Sequence, residues 1–538
     1  MILKYDKEGM FYTESKYEEK DLIKSEHFMW NSELRRWETN DYSKALSLIR
    51  SSKQKNFPLT IDDSARDEIN ARRTKDMISI GESVSSYSGI TVPAPEGESY
   101  RPYQLAAIEF ISKRDKVLLA DEMGLGKTIE IIGWINYQHP KSVLIVAPRI
   151  AVYTVWKFEL ARWLVHPYDI VVVSNEPPVR KDNTIYLMHY EQLTKYYDYL
   201  LMQYWDNLVF DESQYVKNFR ANRTKIAYEL SKLVKEKKIL VTGTPVSNNL
   251  QLLEAYTQLR ILDVPEFRSR GEFYSKYVDM GNYGRTINSA KYEKFQYDLR
   301  ATVMLRRMKK DVLPELPPKT RQQIIYPKDS ISTVLQKENK DFLSKITTIH
   351  EIGGGNWTSV FGTLSDEDKG EISRIRRETA VAKLPLDIEF IEELLGEEEK
   401  VVVFAHHIDV LEGIYTKFKD KAVLIDGNVS EIEREEAIAR FRDDPSVNLF
   451  VGSVRLASES ISLTSSSTCV FVEFDWNPGV LYQAEDRLHR PGQTAESVVI
   501  KYIAVEGTID SFMLSNIIPK ADMMNRVLNK DSIGVIRQ

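Results

Sequence analysis

The chain has 538 residues, several times the ~150 expected of one domain, so a single small module is excluded. Apolar residues make up 42% and charged residues 28%, which excludes wholesale disorder. Lysine plus arginine total 73 against 79 acids, a net charge of −6, so any nucleic-acid surface has to be local.

In chain order, the N-terminus MILKYDKEGMFYTESKYEEK carries charge where a signal peptide needs an apolar stretch. No apolar run of about 18 residues follows, so a soluble intracellular protein without a membrane partner is expected. Residues 1–60 read as a small accessory module: FMWNSELRRW predicts strand, tight turn and strand, and an amphipathic helix follows from about Tyr42. Trp30 and Trp37 flank that turn with Arg35 and Arg36 between them; they present groups to unstacked bases, or they are the core of a tiny domain. Residues 61–98 turn polar and end in ESVSSYSGITVPAPEGESY, which predicts a linker.

From residue 99 to 250, short apolar runs begin at Val117, Val143, Ile170, Thr184, Asn207 and Lys238, separated by helical stretches. Such runs predict a parallel sheet buried on both faces. Residues 251–383 read as a helical insertion without comparable strands, broken by GGGNW near Gly353. Strands return in residues 384–520, at Val401, Ala422, Asn448, Cys469 and Val498, and 521–538 is a tail. The expected fold is α/β, with two parallel-sheet lobes, a helical insertion between them and the small N-terminal module.

The strand at Val117 runs into Asp121, Glu122, Met123, Gly124, Leu125, Gly126, Lys127 and Thr128, and then into the apolar helix IEIIGWI. A glycine-rich turn between strand and helix faces backbone N–H groups toward phosphates, with a lysine for the β/γ-phosphates and a hydroxyl for magnesium. Lys127 and Thr128 take those roles, although the strict pattern has glycine where Asp121 stands. The strand at Asn207 delivers Asp211, Glu212, Ser213 and Gln214; Asp211 is assigned to magnesium and Glu212 to the attacking water. Near the C-terminus, Arg487 and Arg490 lie three apart on a predicted helix, so that both guanidiniums leave one face toward transition-state charge. His406 and His407 are adjacent and cannot share a face, and Cys469 is the single cysteine, so a metal site built on them is disfavoured.

The DESQ box, YRPYQ at Tyr100–Gln104, VTGTPVSNNLQLLEAYTQL from Val241 and WNPGVLYQAEDRLHRPGQ from Trp476 resemble successive motifs of the Swi/Snf group of superfamily-two helicase-like ATPases. MLRRMKKDVLPELPPKTR, VVVFAHHIDVLEGI and IDGNVSEIEREEAIARFRDD are similar to further motifs of the group, and the likeness covers residues 99–520. It implies two RecA-like lobes that use ATP and magnesium. It further implies adenine contact by Gln104 with Arg101 nearby, coupling of the ATP site to the cleft through Thr242, Gly243 and Thr244, and DNA contact at Arg149, His189 and Tyr190. Arg306 and Arg307, with Lys309 and Lys310, meet DNA phosphates or else brace a lobe. The fifth motif departs from the group: VGSVRLASESISLTSS has serine and glutamate where glycines are common.

The compact size, FAHHIDVL and FDWNPGVLYQAEDRLHRPGQT resemble most the HepA-related, annealing-helicase branch. That likeness implies an ATP-dependent translocase on double-stranded or forked DNA that reanneals or remodels forks and repair intermediates. A motor that displaces proteins such as RNA polymerase, and a non-processive ATP-dependent clamp, are the rival readings. A monomer is expected, cytoplasmic and nucleoid-associated in a bacterial or phage-infected cell, with a replication or transcription protein as a possible partner.

Overall fold

The computed structural model describes residues 1–538 except 244–251, 268, 282–283, 287–288, 353–363, 428, 455–460, 477 and 516–538. The chain divides into two units, Met1–Gly81 and Glu82–Gln538.

In the first unit, strands β1 (Ile2–Tyr5), β2 (Phe11–Glu14), β3 (Met29–Asn31), β4 (Arg36–Thr39) and β5 (Thr60–Ile61) form a sheet in the order β3-β4-β2-β1-β5. The helix expected from Tyr42 runs Tyr42–Gln54, and the Asp41 side chain caps it by accepting from the Ser43 N–H at 2.8 Å. Trp30 and Trp37 face each other across β3 and β4 with ring centroids 5.4 Å apart. Trp37 packs on the core of Leu3, Phe11, Ile23 and Leu48, whereas Trp30 at the sheet edge is 51% exposed. Arg36 lies over the Tyr12 ring and is ion-paired with Asp6 and Glu38, so of the two turn arginines it is the one committed within the unit.

The stretch expected to be a linker contains a 22-residue helix, Asp63–Val84. Its polar surface misled the composition argument, because Ala65 and Ile69 are the apolar residues it buries in the first unit's core. Alanine, arginine and glutamate along the rest favour helix without an apolar stripe.

In the second unit, strands β6 (Lys116–Leu119), β7 (Ser142–Ala147), β8 (Asp169–Val172), β9 (Thr184–His189), β10 (Trp205–Asp211) and β11 (Val234–Val241) match the six apolar runs. After a small hairpin of β12 (Asp279–Gly281) and β13 (Gly284–Thr286), β14 (Met304–Leu305) completes a parallel sheet in the order β14-β6-β11-β10-β7-β9-β8. Alternate residues build two cores. Leu144, Val146, Leu208 and Phe210 pack on one face, and Val143, Ile145, Val209 and Ile239 on the other.

The second lobe is a parallel sheet in the order β15-β20-β19-β16-β18-β17, from β15 (Lys319–Tyr326), β16 (Val401–Ala405), β17 (Ala422–Ile425), β18 (Leu449–Ser453), β19 (Thr468–Phe471) and β20 (Val498–Val505). Five of these were expected, but β15 falls in the stretch read as helical and strand-free. Its sequence KTRQQIIY is polar and half exposed because it is an edge strand, paired with β20 along eight positions and open on the other side. The supposed insertion therefore gives β14 to the first sheet and β15 to the second. Its boundary near Lys383 lies inside the helix Asp366–Glu397, where the Lys383 ammonium is buried and ion-paired with Asp510 at 3.0 Å.

Candidate active site

The turn after β6 depends on two glycines. Gly124 and Gly126 both have φ of +82°, the left-handed region that L side chains rarely adopt. A Cβ on Gly126 would stand 2.7 Å from Gln104 Nε2. Tyr103 and Gln104, on the helix Pro102–Ser112, both donate to the Leu125 carbonyl, at 3.1 and 3.3 Å, and so hold the loop from beneath. Tyr103 was not singled out in the sequence; RPYQ offered it no distinguishing pattern. Arg101 caps that helix, its side chain paired with Glu315 at 2.5 Å, and Gln104 Oε1 accepts from the Arg101 N–H. Lys127 opens the helix Lys127–Gln138, with Nζ 3.0 and 3.3 Å from the carbonyls of Asp121 and Glu122. Thr128 is half-buried in the same first turn.

Asp121, expected at the nucleotide, is fully buried and engages Arg307, which also reaches Glu130 at 2.8 Å. Two buried carboxyls share one guanidinium. Burial, aided by Asp121, pushes the Glu130 carboxyl well above the ordinary carboxylate range. Arg306 is equally buried and donates to the carbonyls of Ala120 at 2.7 Å and Gly243 at 3.3 Å. Both arginines brace the loop from inside, which corrects the expectation that they meet DNA phosphates: a guanidinium buried beneath the loop is closed off from one.

At the end of β10, Asp211 Oδ2 accepts from Trp156 Nε1 at 2.8 Å, and Oδ1 from the Glu212 N–H at 3.0 Å. Burial, then the neighbouring Glu212 charge, push the Asp211 carboxyl up to about 7. Glu212 adopts φ of +50°, a left-handed kink for a non-glycine residue. Glu212 Oε2 accepts from Gln214 Nε2 at 2.6 Å, and Gln214 Oε1 accepts from the Thr242 hydroxyl at 2.8 Å. Gln214 thus ties Glu212 to the strand end of β11, a role the DESQ spelling alone did not assign. A Cβ on Gly243 would stand 2.4 Å from Met123 Cγ, which sets this segment against the glycine loop. Thr244 lies outside the described residues, as do residues 455–460 of the fifth motif.

From the second lobe, Arg490 reaches the glycine loop: its Cβ is 3.5 Å from the position of a Cβ on Gly124, and its Nη1 donates to the Ile461 carbonyl at 2.9 Å. Arg487 is half-buried beside it in sequence. The helix carrying this motif ends at Glu485, so Arg487 and Arg490 stand in the following turns and not on a helix face as expected. At the helix end Glu485 is held by Lys319, Arg321 and Tyr502, and the chain turns further on at Pro491 and Gly492. Lys309 joins the two lobes. Its N–H donates to Glu122 Oε2 at 2.6 Å, while its Nζ meets Asp486 Oδ1 at 2.9 Å and the His489 carbonyl at 2.6 Å. Burial would raise the Asp486 carboxyl, but Lys309 and Lys319 outweigh it and hold it far below the ordinary range.

Of the residues expected at DNA, Arg149 is exposed, and the His189 ring pairs with Glu191 at 2.7 Å. Tyr190 is fully buried and donates to the Asp211 carbonyl at 2.7 Å, so its side chain holds the end of β10 from inside, where a DNA contact was expected. The His406 and His407 N–H groups both donate to Glu473, and among the described residues no cluster of metal-ligating side chains occurs. Cys469 is buried in the second lobe's sheet.

Residues 103–355 match the SNF2-related domain, and residues 387–492 match the helicase conserved C-terminal domain. The chain belongs to the Swi/Snf group of helicase-like ATPases. It is 32% identical over 444 residues to the Caenorhabditis elegans SWI/SNF-related matrix-associated actin-dependent regulator of chromatin subfamily A-like protein 1 homolog, which covers 79% of this chain and 61% of that one. To the human DNA annealing helicase and endonuclease ZRANB3 it is 31% identical over 449 residues, 80% of this chain and 40% of that one. The chain therefore spans about half the length of these two Swi/Snf relatives. A Sulfolobus solfataricus SWI2/SNF2 ATPase core in complex with dsDNA overlaps 84% of this chain and 97% of that one, at 22% identity and a TM-score of 0.40. Among the described residues of this Swi/Snf chain, no helix is long and apolar enough to cross a membrane.

Proposed function

We propose that the chain hydrolyses ATP with magnesium and couples that hydrolysis to movement along double-stranded DNA, reannealing or remodelling forks and repair intermediates. The observation that carries this reading is that Lys127 in the glycine loop is met by Arg490 of the second lobe, against Gly124, while Gln214 ties Glu212 to Thr242 in the segment whose Gly243 packs on Met123 of the same loop. A clamp without turnover has no need of a positioned base opposite an arginine.

Asp211 and Thr128 are hard oxygen donors of the kind magnesium takes, and the raised Asp211 carboxyl is what a buried acid beside a second acid becomes before a cation offsets the charge. Magnesium, when bound, offsets charge on the phosphates. Lys127 meets the outer phosphates, Glu212 orients and deprotonates the attacking water, and Arg487 and Arg490 stabilise charge that develops in the transition state. Because Gln214 links Glu212 to Thr242, a shift in the cleft reaches the base through two hydrogen bonds. Likeness to an annealing helicase supports the fork-directed part of the reading.

The test is steady-state ATP hydrolysis without DNA and with single strands, blunt duplex and a model fork, beside Lys127→Ala and Glu212→Gln. Strong stimulation by duplex or fork, lost in both variants, is expected. Hydrolysis indifferent to every DNA, from folded protein that binds ATP, overturns the translocase reading.

A further inference from the structure

An exposed basic surface outside any assigned motif lies, in sequence, just beyond Glu212. Phe219, 40% exposed, carries two guanidiniums: Arg220 at 5.5 Å from its ring centroid and Arg270 at 5.3 Å. Arg270 also lies 5.5 Å from the Tyr274 ring, and Arg223 lies 5.5 Å from the ring of Tyr215, which is 37% exposed. All three arginines are exposed, and among the described residues none of them is ion-paired. That sets them apart from other surface arginines of this acidic chain, such as Arg374, Arg377 and Arg442, each of which holds a carboxylate within 4 Å. Glu272, two positions after Arg270 on the same helix, points to a different face.

We propose that Arg220, Arg223 and Arg270, steadied on Phe219, Tyr215 and Tyr274, form a phosphate-binding surface for nucleic acid, separate from the positions carried over from the family motifs. The proposal rests on the DNA-directed reading above and names a contact within it. Guanidiniums held on aromatic rings keep their N–H edges outward and lose little freedom when they meet phosphate oxygens. An aromatic ring beside a phosphate-binding arginine also suits a base, which favours nucleic acid over an acidic protein. The surface adjoins the catalytic strand: the Tyr215 ring stacks on Tyr190 at 5.1 Å and 12°, and the Tyr190 hydroxyl holds the Asp211 carbonyl.

The test is fluorescence anisotropy of a labelled duplex with the full chain across a salt series. The triple variant Arg220→Gln/Arg223→Gln/Arg270→Gln is compared with a control, Arg374→Gln/Arg377→Gln/Arg442→Gln, that removes the same charge from paired arginines. Each lost phosphate contact lowers the log–log salt slope by about 0.9, so the first variant is expected to lose about 2 to 3 from the slope and the control much less. An unchanged slope in the first variant, or an equal loss in the control, overturns the surface while wild-type binding still supports the DNA reading. Absence of duplex binding by the wild type overturns both. Equal capture of poly-glutamate, lost in the same variant, makes the partner an acidic protein and also overturns the proposal.

Discussion

At the residue scale, the carboxyls of Asp211 and Asp387 share one property and its main cause, burial, while their charged neighbours differ. Burial and Glu212 push Asp211 up to about 7, and burial likewise pushes Asp387 up to about 7 against the pull of Lys383. Their ordinary value is 3.8, so over the interval up to about 7 the folded chain keeps protons that the unfolded chain has released. The contribution is full below 3.8 and lost as pH rises through about 7, so stability falls with rising pH in that window. Asp211→Asn and Asp387→Asn should each flatten part of that fall, read as the thermal midpoint between about pH 4 and pH 8. A midpoint profile unchanged in Asp211→Asn would mean that the carboxyl is already ionised at low pH. The same scale shows why a basic run is hard to read. Arg306 and Arg307 are spelled like any cationic patch, but their neighbours in space are the Gly243 carbonyl and the Asp121 and Glu130 carboxyls, from other strands and helices. Arg220, Arg223 and Arg270 are the reverse, scattered in sequence and clustered on one pair of rings and its neighbour.

At the element scale, the strand-loop-helix unit from Lys116 to Gln138 was legible because each part is local: an apolar strand, glycines at the two left-handed positions, then an apolar helix. The edge strand β15 was not legible, since one side of it is open and its polar residues carry little alternation. The contact between the segment after β11 and the glycine loop gives a prediction at this level. Gly243→Ala places a methyl 2.4 Å from Met123 Cγ and 3.5 Å from Lys127 Nζ, so Met123 must move and the loop with it. Displacement of catalytic groups by a fraction of an ångström costs rate before it costs fold, so ATP hydrolysis should fall about tenfold or more with the thermal midpoint nearly kept. An equal loss of midpoint and rate would show that Gly243 serves packing alone.

At the scale of the whole molecule, Lys309 holds the glycine loop through its backbone and the second lobe through its side chain. Lys309→Met keeps the volume but leaves Asp486 with Lys319 at 3.2 Å as its remaining cation. The cost is expected at ~1–3 kcal/mol, below that of a fully orphaned buried charge because Lys319 remains. Calorimetry should show the transition of the second unit broadening or splitting as the lobes uncouple; a single unshifted transition would deny the bridge its role. Position in the chain made this residue one of four basic side chains in a row of five, and nothing in their spelling separates it from Lys310.

The sequence by itself determined the parallel-sheet lobes, the glycine loop, the DESQ box and the arginine-bearing motif of the second lobe, because these depend on short-range order, on apolar runs and on residues whose backbone geometry is special. Tertiary structure alone decided which charges face inward, which strand closes each sheet, where the motif helix ends and which lysine spans the lobes. Those outcomes depend on partners far away in the chain, Arg307 with Asp121 and Lys309 with Asp486 among them, and a buried charge is defined by what the fold brings beside it.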